Sequence, residues 1–106
     1  MVKQYEIYWV NLDPTVGSEI KKVRPGLVIS PNASNKYLNT VIIAPLTSTK
    51  KNFPMRLDIE LDGKSGQIAL DQIRSVDKMR LSGKVGCLRS GEIKLIKQLL
   101  KEYLVD

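Results

Sequence analysis

The sequence predicts a mainly β protein, an antiparallel barrel core closed by a C-terminal α-helix. Three observations carry that expectation. Several short apolar runs recur between turn-forming residues, the spacing of sandwiches and barrels. One of them, MRLDIEL at 55–61, alternates strictly, with Met55, Leu57, Ile59 and Leu61 on one face and Arg56, Asp58 and Glu60 on the other. Near the C-terminus the period changes: Ile93, Ile96, Leu99, Leu100, Tyr103 and Leu104 fall at helical spacing, with Lys94, Lys97, Lys101 and Glu102 elsewhere.

The first strand is read at residues 5–12, with Ile7, Trp9 and Leu12 on a different face from Tyr8 and Val10. A run apolar on both faces suits a strand covered on both sides, as in a small closed barrel. Asp13-Pro14 ends it, because proline has no amide hydrogen for the ladder. A polar loop follows over 13–23 and a second strand over 24–30, whose Pro25 biases Arg24 towards extended backbone. Pro31-Asn32-Ala33-Ser34-Asn35 is turn chemistry, with a helical turn reaching Tyr37. Thr40 to Leu46 is a third strand with β-branched residues at its start, and 47–52 an exposed polar loop. The alternating segment 55–61 is a fourth strand with one wet face, turned at Asp62-Gly63. A short strand from Gly66 to Leu70 delivers Asp71 and Gln72, and short strands at 73–76 and 84–88 flank a helical turn at 77–80. Ser90 is the expected N-cap of the terminal helix, with Glu92 in its first turn complementing the dipole.

A chain of 106 residues suits one domain, and 1–106 is read as one, without repeats or linkers. Seventeen basic residues against eleven acidic ones give a formal charge of +6 and a pI near 9.6. That balance favours a polyanion, either nucleic acid or an acidic protein. One cysteine, Cys87, excludes an internal disulfide, fits a reducing compartment and is expected in the core. No apolar run approaches the ~18 residues a spanning helix needs, and no signal-peptide pattern opens the chain, so the cytoplasm is the expected location, with no membrane partner.

With no histidine and an isolated cysteine, the chain can build neither a His–Cys zinc site nor a triad with a histidine base. Asp13, Glu19, Asp71 and Asp77 are the carboxylates open to a magnesium ion, but no pair stands at metal-ligand spacing, so no metal or other cofactor is expected. Phosphodiester chemistry on RNA needs neither. The substrate carries its own nucleophile, the 2′-hydroxyl, so an enzyme has only to orient it, handle two protons and neutralise charge on the phosphate. Arg24 suits that work, because a guanidinium at the mouth of a strand grips two phosphate oxygens with its planar fork. Its alternative role is a surface salt bridge with Glu19 or Asp71. Ser18, Glu19 and Lys21 lie beside Arg24 in sequence, where donors and acceptors can read the edges of unpaired bases. Lys50, Lys51 and Arg56 are placed to track backbone phosphates.

These residues carry a resemblance. Trp9-x-x-x-x-Asp13-Pro14, Gly17-Ser18-Glu19, Val23-Arg24-Pro25, Ala44-Pro45-Leu46-Thr47-Ser48 and Leu70-Asp71-Gln72-Ile73-Arg74 together resemble the MazF/PemK toxin endoribonucleases of toxin–antitoxin systems, over residues 5–103. The resemblance implies an SH3-like antiparallel barrel with a C-terminal helix, paired into a homodimer. It implies a growth-arresting mRNA interferase that cuts single-stranded RNA at a short sequence without metal, leaving a 2′,3′-cyclic phosphate and a 5′-hydroxyl. It also implies an antitoxin whose acidic, flexible tail fills the groove. It places the catalytic arginine at Arg24 and a catalytic threonine at Thr47, with Asp71 as proton acceptor and Gln72 and Arg74 near the groove. The chain departs from the family pattern in two places. Ile20-Lys21-Lys22 stands where many members carry a glycine-containing spacer, and the histidine found in some first loops is absent. Two readings of another class remain beside it: a basic barrel that binds nucleic acid without cutting, and a module that binds only an acidic protein.

Overall fold

The computed structural model describes residues 1–106. Seven strands appear, β1 (Glu6–Asn11), β2 (Val23–Val28), β3 (Thr40–Thr47), β4 (Arg56–Leu61), β5 (Lys64–Ala69), β6 (Arg74–Asp77) and β7 (Leu81–Cys87). A short helix α1 (Asn32–Tyr37) joins β2 to β3, 3₁₀ turns cover Leu70–Gln72 and Lys78–Arg80, and α2 (Ser90–Leu104) closes the chain. The pairing is antiparallel, in the order β4-β5-β3-β2-β1-β7, with β6 also on β3.

β3 is the hinge of this barrel. On one edge its first half pairs with β6, from Thr40↔Asp77 to Ile43↔Arg74, and its last two residues pair with β5. One long strand thus serves two sheets and bends the surface round. The ends of the path, β4 and β7, share no ladder but come close, since a Cβ added to Gly86 would lie 3.5 Å from Leu61 Cδ1. The barrel therefore has a seam.

Two hydrophobic clusters occupy the two faces. Inside lie Ile7, Leu27, Ala44, Leu46, Ile59, Ile68, Leu70, Leu88 and Ile96. Ile96 anchors α2, and burying it contributes roughly 1.5–3 kcal/mol. The second cluster, Val10, Leu12, Val28, Val41, Ile43 and Val76, fills one half of the opposite face. Close approach there requires Gly26, since a Cβ at that position would stand 2.8 Å from Val10 Cγ2.

Strand β1 is covered on both faces as its sequence predicts, although Leu12 joins Val10 rather than Ile7. Three local expectations are corrected. Cys87 is exposed, because it ends β7 at the barrel rim. The helix cap is Arg89 rather than Ser90, with the Glu92 carboxylate accepting the Arg89 amide at 2.9 Å. The third is Arg56, expected on a wet face: its side chain is only 7% exposed. No helix is long and apolar enough to cross a membrane.

Candidate active site

The second cluster covers only half of its face, and the other half forms the site. The β2–β3 ladder runs from Val28↔Ile43 to Gly26↔Pro45, and Arg24 and Thr47 lie two residues beyond it on their strands, on the face of Gly26 and Pro45. Thr47 pairs in turn with Gln67, and Gln67 with Asp58. Because side chains alternate between faces, Arg24, Thr47, Gln67 and Asp58 form one row across four strands on the same face. Arg56, two residues before Asp58, shares it.

In front of this row runs a polar groove of about 250 Å³, lined by Ser18, Lys21, Arg24, Thr47, Lys51 and Arg56, among others. Arg24 and Thr47 also border an apolar cleft of about 280 Å³ at the barrel seam, where Trp9, Ile59, Leu61 and Val85 meet. The pair thus stands between a cationic channel and an apolar one.

Neither salt bridge considered for Arg24 forms. The chain's ion pairs are Arg56–Asp71 and Lys84–Glu6. Arg24 instead donates from Nε to the Lys21 carbonyl at 3.3 Å, which leaves the outer edge of its fork free for an anion. Thr47 Oγ1 accepts the Thr49 amide at 3.1 Å, so its hydroxyl proton is available to a ligand.

The first loop is pinched at its base. The Leu12 amide donates to the Lys22 carbonyl at 2.9 Å and the Lys22 amide to Asp13 Oδ1 at 3.1 Å. Lys22 takes φ +72, a conformation that favours glycine, at the point where the glycine-containing spacer is missing. Gln72 ties the loop to the barrel, accepting the Ile20 amide at 3.2 Å and donating to the Ser18 carbonyl at 3.5 Å. Ser18, Glu19 and Lys21 are thereby held beside Arg24, as their sequence positions suggest.

Other expected site residues are placed differently. Asp71 is bound edge-on by Arg56, with Nε–Oδ1 at 2.6 Å and Nη2–Oδ2 at 3.0 Å. Chiefly through the Arg56 hydrogen bonds, against a smaller opposing push from burial, its carboxyl is held below the usual aspartate value. A carboxylate so engaged is a poor proton acceptor, and the role expected of Asp71 is revised accordingly. Lys50 lies outside the groove, in a hollow with Asp58, Glu60 and Glu92, and Lys51 faces the groove instead. Arg74 is half-buried, donates to the Leu12 carbonyl at 2.9 Å and lines a separate hollow with Ser18, Asp71 and Gln72.

Gln67 is the residue sequence reasoning missed. It is 6% exposed. Its Oε1 accepts the Lys51 amide at 2.9 Å, and its Nε2 donates to the Lys51 carbonyl at 3.0 Å and to Asp58 Oδ1 at 2.9 Å. The signal available was a glutamine inside an otherwise apolar strand end, on the same face as Asp58.

Fold and groove together define a basic SH3-like barrel with a row of polar side chains, Arg24 and Thr47 among them, at its open face. The family model described as PemK-like, MazF-like toxin of type II toxin–antitoxin systems matches residues 3–104, and the chain belongs to that family. Endoribonuclease EndoA of Bacillus subtilis (strain 168) is 36% identical over 91 residues, covering 80% of this chain and 78% of the relative. Among solved structures, MazF (Form-I) from Deinococcus radiodurans superposes with a TM-score of 0.85 at 27% identity, over 97% of this chain and 96% of that one. A mycobacterial endoribonuclease in complex with its cognate antitoxin shares the fold with a TM-score of 0.83 at 21% identity, over 98% and 95% of the two chains.

Proposed function

We propose that this toxin is a metal-independent endoribonuclease acting on single-stranded RNA in the cytoplasm. The observation that carries the reading is that Arg24 and Thr47 line the same cation-lined groove, one with an unpaired guanidinium edge and the other with a free hydroxyl proton. In the reaction the substrate 2′-oxygen bonds to phosphorus as the bond from phosphorus to the 5′-oxygen breaks, giving a 2′,3′-cyclic phosphate and a 5′-hydroxyl. Arg24 neutralises the charge that builds on the phosphate oxygens and donates towards the leaving 5′-oxygen. Thr47 donates to a phosphate oxygen. With Asp71 committed to Arg56, Glu19 is the carboxylate lining the groove without a cationic partner, and it takes the 2′-hydroxyl proton.

Ser18, Lys21 and Gln72 contact the bases and Lys51 the backbone, contacts that call for unpaired bases whose edges are not shut inside a duplex. The partners that fit are a second copy of this chain and an antitoxin with an acidic, flexible tail complementary to the +6 charge. The test is to incubate the purified protein with a long unstructured RNA in EDTA. Cutting is expected, with Arg24→Ala slowing it at least about a hundredfold while the fold is kept. Cutting by Arg24→Ala at the parent rate would overturn the assignment.

A further inference from the structure

We infer that Phe53 is a stacking platform for an unpaired RNA base, built on the locked guanidinium of Arg56. The inference rests on the ribonuclease reading and deepens it. Arg56 is held on three sides. Asp71 takes Nε and Nη2 along one edge, Gln67 Oε1 receives Nη1 at 3.4 Å, and the Phe53 ring covers the face, with its centroid 5.4 Å from the guanidinium carbon.

Phe53 itself is 47% exposed and belongs to neither hydrophobic cluster. Its ring is seated on a cation by one face while much of its surface meets water. The chain on both sides of it is fixed. Gln67 grips Lys51 by amide and carbonyl, and the Arg56 amide donates to the Phe53 carbonyl at 3.2 Å. An aromatic side chain pinned in this way loses little freedom when a base settles on it.

Lys51 and Arg56 line the same groove as Arg24 and Thr47. A strand whose scissile phosphate lies at the catalytic pair therefore runs on past Arg56, where a splayed base meets the open side of the ring. Every base has a π-face, so this contact is tolerant of sequence and selects for single-strandedness. It raises affinity for unpaired RNA without setting the cleavage motif. Asp71 and Gln67 are positioning residues in this arrangement, acting through Arg56.

The experiment uses a fully 2′-O-methylated oligonucleotide, which cannot be cut, carrying 2-aminopurine at successive positions. The parent protein is expected to quench fluorescence at one or two of them. Phe53→Leu should lose that quench and bind about tenfold more weakly, while Phe53→Tyr restores both. On plain RNA in EDTA, Phe53→Leu should raise KM about tenfold and leave kcat within about twofold. A role in folding alone would lower the melting temperature and leave the quench intact. The platform is refuted if the parent quenches at no position, or if Phe53→Leu quenches and binds like the parent while the parent cuts RNA. If the parent quenches but does not cut, the platform stands and the ribonuclease reading falls.

Discussion

Asp71→Asn separates a carboxylate that does chemistry from one that holds a cation in place. In the native chain Asp71 accepts two hydrogen bonds from Arg56, whose side chain is 7% exposed, while its own is 19% exposed. Removing one member of a buried pair costs about 3–5 kcal/mol, because the remaining charge is left without a partner. Asparagine keeps one carbonyl acceptor and the site is partly wet, so we expect about 2 kcal/mol here. For a chain of this size that lowers the melting temperature by roughly 10 °C, since about 1 kcal/mol corresponds to ~4–8 °C. Cleavage behaves differently under the two roles. A lost proton acceptor slows the reaction by ~10²–10⁴, whereas a lost buttress leaves kcat within about threefold at temperatures where the variant is folded. Circular dichroism melts and single-turnover cleavage at 20 °C, run on the same preparation, read both quantities. Unchanged melting together with cleavage slowed more than a hundredfold would refute the buttress and return Asp71 to the reaction.

Thr47→Val removes the free hydroxyl donor at constant shape and should lower kcat by ~10²–10³ with little change in melting, while Thr47→Ser retains most activity; equal rates for parent and Val variant would remove Thr47 from the site. Glu19→Gln should lower kcat by ~10²–10⁴ with little change in melting; cleavage at the parent rate would mean the proton goes elsewhere. Acid should destabilise the chain through two carboxyls. Asp71 is held low chiefly by its Arg56 hydrogen bond. For Glu6 burial pushes upward but is outweighed by hydrogen bonds from Lys84, the Lys3 amide and Tyr8, so its folded value is also lowered. Both values lie below those of the unfolded chain, so the stability they confer is present above pH 4.5 and is lost as pH falls through the folded values. Urea midpoints that do not change between about pH 6 and 3 would contradict this, and Asp71→Asn should show a shallower decline.

The strands were legible because their patterns are local. MRLDIEL alternates, the proline after Asp13 stops a ladder, and the period changes at the terminal helix. What alternation assigns is a face, not what covers it. Arg56, Asp58 and Glu60 share the predicted side, yet Arg56 is buried because the 3₁₀ turn carrying Asp71 and the loop carrying Phe53 close over it. Gln67 was illegible for a related reason, since its partners lie sixteen residues back at Lys51 and nine back at Asp58.

The pairing of Arg24 with Thr47 depends on register, which no single segment carries. A one-residue slip between β2 and β3 would turn one of them to the other face. The crossover through α1 holds that register. Buried Asn35 donates to the Ser30 carbonyl and accepts from Ser30 Oγ, which in turn accepts the Ile42 amide at 3.0 Å, beside an Ile29 amide bond to the Ile42 carbonyl. Slipping β3 by one residue would break the two bonds to Ile42, at a cost of about 1–3 kcal/mol for each group left unpaired, while the Ser30–Asn35 pair that positions them stays in place. Ser30 and Asn35 look like ordinary turn chemistry in the sequence. In the fold they fix the register that brings together a guanidinium and a hydroxyl twenty-three positions apart in the chain.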